Sequence, residues 1–591
     1  MITLLKKSIL RLSIFFVVGF IFFASPNSAS ALTCTSLTTD ANWNTIGTWD
    51  CGRVPTTDDD VIISDNAGVI ITLDTTGVAK SLLVINTDTT GAGNTTELRM
   101  GANTLTVSGL TTITGGSGNA NKASLISLST GTLKAQGGIT FSGSTGNENL
   151  TATGAANIEL TGNWTGVSDG SLNSASIVKG VGTSAINGAI TIGGNLQTIS
   201  GTMTIGANVA VSGTLTVDSG SILTTSSSFT FGVTGASSIS GTLNNDGTGA
   251  KTYTGNFTIN SGGSFTNASD SSITFSGAVF TNNSSGTVDF GTSAGTVIFN
   301  NTGGSWDGAN DVTFDGNVSI VIGNGTFTNN NDATVTVMGN LLGDSGTSKW
   351  DSNSGSYLKL YGAFWTSNQA SAFATASTVE YAGTGQTIKT GAAYGTLKIS
   401  GTITGAATTV TVKAGFEVTG TYTASSGTIT LSGSGTVFNN SGTFTGSDSN
   451  TVAVTNAGTV TLATSNDNVT FHNLTLSGGG TVQFSATRTY ASTGLLTISN
   501  STNINSTTGS SQWFIDHSGT ESVNAGTISY SGCSTSDDIT ITAGTDGTNN
   551  DACWSFPAAA VVDTTLRRSL RLFEGFTIKF ISGRIILHQS Q

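Results

Sequence analysis

Gly427-Thr428-Ile429-Thr430-Leu431 is the stretch on which the fold turns. In an extended chain successive side chains point to opposite faces, so Ile429 and Leu431 share one side and Thr428 and Thr430 the other. Threonine suits a pleated surface through its branched β-carbon. The same Gly-Thr-apolar start recurs at Gly131, Gly201, Gly213, Gly241, Gly286, Gly395, Gly458 and Gly526. Asn103-Thr104-Leu105-Thr106-Val107 and Ala333-Thr334-Val335-Thr336-Val337 repeat it without the glycine. Turn clusters such as Asn260-Ser261-Gly262-Gly263 break the strands at short intervals, and no helical period is sustained between Cys34 and Phe556.

Self-similar units, no linker and little strand charge predict an all-β protein, an elongated right-handed parallel β-helix (β-solenoid) with disulfide-bearing ends. Stacked coils set like residues about 4.8 Å apart, where like charges repel and Thr, Ser and Asn columns are tolerated. Coils of about 20–25 residues give on the order of 20 rungs and a length of roughly 100 Å. The alternative is a string of β-sandwich domains.

Composition agrees with order. Charged residues are 9% and apolar residues 36% of the chain, whereas disordered chains are richer in charge and poorer in β-branched residues. The three prolines, Pro26, Pro55 and Pro557, all lie outside the stretch from Val61 to Phe556.

Residues 1–31 read as an export signal. Lys6, Lys7 and Arg11 precede the apolar run Leu12–Ala24, and Ala29-Ser30-Ala31 offers small residues for cleavage before Leu32. The run is short for a membrane span, which needs about 20 residues. A secreted or cell-surface location follows. The remaining chain divides into an N-terminal capping module (32–115), a solenoid body (116–556) and a basic tail (557–591). Thirteen Lys and Arg against thirty-two Asp and Glu leave Leu32–Phe556 at −19, while the tail is +3. An acidic body repels phosphate backbones, so nucleic acid is not an expected partner. In an oxidising compartment the cysteines read as two local disulfides, Cys34 with Cys51 and Cys533 with Cys553, near the two ends of the body.

Asn42-Trp43-Asn44, Gly47-Thr48-Trp49, Gly52-Arg53-Val54-Pro55 and Asp59-Asp60-Val61-Ile62-Ile63 open the body. This segment resembles the start of secreted bacterial β-helix proteins with a G8-like N-terminal module, with Asp58 where their glycine is expected. Ser377-Thr378-Val379-Glu380-Tyr381 with Gly385-Gln386-Thr387-Ile388 is similar to a repeat of large bacterial surface and adhesin-like proteins. The resemblance implies a surface-exposed β-helix and carries over no catalytic residues.

Candidate sites are few. Trp306, Trp350 and Trp365, with Tyr357 and Tyr361, concentrate rings where tryptophan is otherwise rare, a candidate glycan-stacking platform. Packing of the same rings inside the solenoid is the competing reading. No cofactor is expected unless calcium, a cation of oxygen ligands, binds the Asp58-Asp59-Asp60 run or Asp307, Asp311 and Asp315. Arg567, Arg568, Arg571, Lys579 and Arg584 in the tail are candidates for peripheral attachment to an anionic envelope surface, with a capping hairpin as the alternative. Between Gly131 and Asn500 the sole arginine is Arg488 and the sole histidine His472, so no catalytic constellation is visible. The expected function is a structural or adhesive surface protein that binds glycans or other cell-surface components. A polysaccharide lyase or hydrolase on the same scaffold is the alternative.

Overall fold

The structure, a computed structural model, describes residues 30–558 and the strand pair 576–581 and 584–589. Within the first range, residues 38–39, 66–67, 89–93, 116–121, 144–147, 169, 227, 268–270, 292–294, 322, 324, 345–348, 366–371, 406–408, 448 and 534–537 are not described. The export-signal residues 1–29 also lie outside the described residues.

Alternation of threonine with aliphatic residues makes strands mostly of three to six residues, and each strand needs a neighbour for its backbone groups. The chain supplies that neighbour one coil later. Leu215–Val217, Ile222–Thr225 and Phe231–Val233 form three faces of one coil. They pair in parallel with Ser237–Ile239, Thr242–Asn245 and Lys251–Tyr253 of the next. Repeated along the chain, this gives a parallel β-solenoid of about 20 coils. Coil length ranges from 15 residues between Ile539 and Trp554 to 30 between Ala41 and Ile71. The first and second faces join into one ladder because Leu495–Ser506 runs past a corner and pairs with strands of both. The third face is interrupted twice, leaving runs of five, eight and eight strands.

Strand side chains that point inward are buried and those that point outward are partly exposed, as in Thr428–Leu431. Apolar side chains therefore fill a narrow interior, and from Phe231 to Tyr394 that interior is a spine of rings. Phe231, Tyr253, Phe275, Phe299, Trp306, Trp350, Phe364, Phe373 and Tyr394 touch in succession, with centroids 4.9–6.3 Å apart. Buried asparagines at the corners tie one coil to the next. Asn450 donates to the carbonyl of Gly427 (2.7 Å) and Asn282 to that of Asp311 (2.9 Å). Such bonds satisfy turn carbonyls that would otherwise be orphaned.

The glycine of the repeat has a steric cause. At the corner entering the first face, Gly255 stacks on Gly235, and a β-carbon on Gly255 would lie 2.4 Å from the Gly235 carbonyl carbon. Gly420 stacks in the same way on Gly401 at the corner entering the third face. Gly255→Ala is accordingly expected to push two coils apart and cost about 1–3 kcal/mol, as overpacking does. Guanidinium unfolding checks this, and an unchanged midpoint would mean that the coils do not meet at this corner.

The outward columns depart in one respect from the expectation that strands avoid charge. Where charge occurs it alternates along a column, as in Lys134, Glu159 and Lys179 and again in Lys359, Glu380, Lys398 and Glu417. Opposite charges on adjacent strands attract, so the same register that penalises like charges favours these columns.

Both disulfides are present, Cys34–Cys51 and Cys533–Cys553. They belong to an oxidising environment. At the N-terminus the first strand, Thr33–Thr35, pairs with Asp60–Ile62 on one side. Its other edge is covered by the segment around the short 3-10 turn Ile46–Thr48, through Asp50 N to Thr35 O, Leu37 N to Thr48 O and the bridge between Ser36 and Trp49. The Trp49 ring donates to the Trp43 carbonyl (2.8 Å), and the two rings pack edge to face beneath. Coverage of this kind removes an open strand edge.

Asp59 is the hub of this cap. One carboxylate oxygen accepts from Arg53 and from Leu32 N (2.9 Å), the other from Thr56 N and Thr56 Oγ1 (2.8 Å each). Burial pushes its carboxyl up, but the bonds from Arg53, Leu32 and Thr56 outweigh that and bring it from 3.8 down to about 2. A group depressed in the folded state contributes stability that is complete above the unfolded value and vanishes as pH falls through the folded one. The cap is therefore expected to lose about 2 kcal/mol between pH 4 and pH 2. Amide exchange of Thr33–Thr35 against pH measures it, and the same profile in Asp59→Asn would contradict the assignment.

At the far end of the chain, Phe576–Ile581 and Arg584–Gln589 form an antiparallel hairpin, with Ile578 opposite Leu587. Lys579 and Arg584 stand in these strands, while Arg567, Arg568 and Arg571 lie outside the described residues. Among the described residues no helix is long and apolar enough to cross a membrane.

Candidate functional site

The three tryptophans offered as a stacking platform are core residues. Trp306, Trp350 and Trp365 are each no more than 1% exposed. Trp350 packs against Trp306 (5.1 Å), Phe327 (5.7 Å) and Trp365 (5.6 Å), and its ring nitrogen donates to Ser352. This corrects the surface reading: Trp306 and Trp350 occupy inward positions of their strands, where burying a large ring is most favourable.

The two tyrosines of that set behave differently. In Tyr357–Leu360, Leu358 and Leu360 point inward, and Tyr357 and Lys359 therefore point out, with Tyr361 following on the same parity. Lys359, Glu380 and Lys398 stack above one another across three coils. Glu380 is 4% exposed and is the centre of the cluster. One of its oxygens accepts from the Tyr357 hydroxyl and the other from Ser400 Oγ. The ammonium groups of Lys398 and Lys359 lie 3.7 and 3.8 Å from it. Burial raises the Glu380 carboxyl, but Ser400, Tyr357 and the two lysines together bring it below its ordinary value. Burial pushes the Tyr357 hydroxyl well up, reinforced by its bond to Glu380 and the charges of Glu380 and Glu417. Each lysine also lies over a ring, Lys359 at 5.5 Å from the Tyr361 centroid and Lys398 at 5.9 Å from that of Tyr357, within cation–π range. The result is a lateral patch of two cations and two phenols held by a saturated carboxylate.

Beside it the third face breaks. Between Leu341–Gly343 and Thr384–Thr387 the single bridge Leu341 to Phe364 replaces a strand. A hollow of about 600 Å³ opens there, walled by Tyr361, Trp365, Gln386 and Lys389 among others. Trp365 takes a left-handed backbone (φ 46°) at the break, a conformation that non-glycine residues adopt at a cost. The other interruption, where Ala152 meets Leu172, adjoins a hollow of about 730 Å³ floored by small residues such as Thr191, Ala210 and Gly232.

The acidic candidates are not gathered around a cation. Asp59 is saturated as described, Asp60 bonds Ser81 and Lys80, and Asp58 is exposed. Asp307 accepts from Asn330, Asp311 from the backbone of Thr334, and Asp315 lies against Asp289 two coils below Lys359. Burial and that neighbouring carboxylate raise the Asp315 carboxyl. Among the described residues no group of three or more His, Cys, Asp and Glu side chains is placed to hold a metal ion. Alternation and stacking give Asp59, Asp60, Asp307 and Asp311 separate protein partners.

Sequence reasoning missed Glu380, Lys359, Lys398 and Ser400 as a group. Their spacings of 21, 18 and 20 residues are each about one coil, and superposing successive Thr-apolar repeats would have brought them into line. No family model, curated protein or solved structure matches the chain.

Proposed function

We propose that this chain is an exported, surface-exposed adhesive solenoid that holds acidic glycans without turning them over. The observation that supports this reading is the pairing of Lys359 with Tyr361 and Lys398 with Tyr357 on an outward column where opposite charges alternate, next to a hollow of about 600 Å³. Lysine offers a carboxylate or sulfate a mobile point charge, and phenol rings offer sugar faces an apolar surface with a polar tip. Glu380 has both oxygens engaged, which makes it an anchor for the lysines and leaves it poorly suited to act as a base. The basic tail, with Lys579 and Arg584 on the hairpin strands, serves peripheral attachment to an anionic envelope surface.

Retention of the purified protein on a panel of acidic and neutral glycans tests this. Binding to acidic members without released product is expected, with at least tenfold weaker retention after Lys359→Ala plus Lys398→Ala. Product release from any member would support the lyase or hydrolase reading instead. Equal retention by the double variant would remove the patch from the account.

A further inference from the structure

We infer that hydrolysis of the Ala31–Leu32 bond completes the N-terminal cap, because the new α-ammonium of Leu32 forms an ion pair with the buried carboxylate of Asp59. The inference goes beyond the adhesive reading and rests on the export signal.

Leu32 is where the chain enters the fold. Its N–H donates to Asp59 Oδ1 at 2.9 Å and its carbonyl accepts from Asp60 N at 2.9 Å, while Ala31 and Ser30 are exposed. Asp59 itself is 0% exposed, and Arg53 donates to the same oxygen that Leu32 reaches. The contact from the upstream side is Arg53 to the Ser30 carbonyl (2.9 Å). The scissile bond therefore lies one residue before the anchored strand, on exposed backbone, after the small residues Ala29-Ser30-Ala31.

In the cleavage by a signal peptidase, water adds across the amide. Ala31 departs with the new carboxylate, and Leu32 keeps the nitrogen as an amine that takes up a proton at neutral pH. A neutral N–H donor thereby becomes a cationic one at the same position, and charge-assisted bonds of this kind are shorter and about twice as strong. Before cleavage Asp59 faces one cation, and afterwards two. Its neighbour Asp60, held by Lys80 and Ser81, adds negative charge to the same site. The aspartate run thus reads as a receptor for a chain terminus.

The test compares three forms of the folded protein: exported and naturally processed, the same form α-N-acetylated, and a chain that retains Ala31. Intact mass of the processed form is expected to begin at Leu32. Its α-amine is expected to titrate above the ordinary 7.7–8.0, read from the pH dependence of amine labelling. Amide exchange of Thr33–Thr35 is expected to be at least tenfold faster in the acetylated form and in the chain retaining Ala31. Asp59→Asn should return the amine to the ordinary range, and the two blocked forms carry the test if that variant folds poorly. A different N-terminus, or an ordinary amine with exchange indifferent to acetylation, would overturn the inference. Glycan retention is expected to be the same in all three forms, so failure here leaves the adhesive reading to its own test.

Discussion

Trp350→Ala is expected to destabilise the solenoid by about 3–5 kcal/mol, the cost of emptying a buried aromatic site. The ring is fully buried and links Trp306 and Phe327 on one side to Phe364 and Trp365 on the other. Its removal leaves a cavity among these four rings. It also strands the Ser352 hydroxyl that now accepts from the indole. In a stack whose coils touch only their neighbours, stability is close to a sum of coil and interface terms. The loss should therefore appear locally, as faster amide exchange from about residue 326 to residue 373, before the ends respond. Guanidinium unfolding followed by exchange measures both. A cost below about 1 kcal/mol would return Trp350 to the surface and restore the platform reading.

Removal of the Cys34–Cys51 bond, by Cys34→Ser with Cys51→Ser, is expected to cost about 3 kcal/mol on the loop-entropy estimate for a closure of this length. The bond spans 17 residues and holds the segment that covers the first strand. Once that segment loosens, the outer edge of Thr33–Thr35 is free to pair with another chain, the general hazard of an open strand edge. Concentration-dependent association should accompany the loss of stability. Calorimetry and light scattering at several concentrations check the pair of effects, and a monomeric variant of unchanged melting temperature would contradict the capping role.

The fold was legible because its rule is local. In Thr334–Val337 or Thr428–Leu431, residue parity alone says which side chain goes inward. The paired cysteines were equally plain. The same parity would have sorted the aromatic cluster: Leu358 and Leu360 fix the inward side, placing Tyr357, Lys359 and Tyr361 outside. Trp350, with Lys349 and Asp351 beside it, falls inside by the same rule. What could not be read was everything that depends on the coil above or below. Lys359 meets Glu380 only because one coil there spends 21 residues, and coil length varies from 15 to 30 with no mark in the sequence. The two interruptions of the third face, and the hollows beside them, have the same origin. Asp59 could not be told apart from Asp58 and Asp60 in the run offered to calcium, because its partners Leu32 and Arg53 reach it through the turn of the first coil.

Stacking in register is the claim under all of this, and pulsed electron resonance between spin labels on one outward column tests it most directly. Thr224, Asn244, Thr266, Asp289, Thr313 and Thr336 lie one above another. The column continues through Lys359, Glu380, Lys398 and Glu417 to Asn439. Five steps of about 4.8 Å predict a narrow distance near 24 Å between labels at Thr224 and Thr336, and ten steps one near 48 Å between Thr224 and Asn439. Broad distributions, or a second distance that is not about twice the first, would show that these coils are not piled one upon the next.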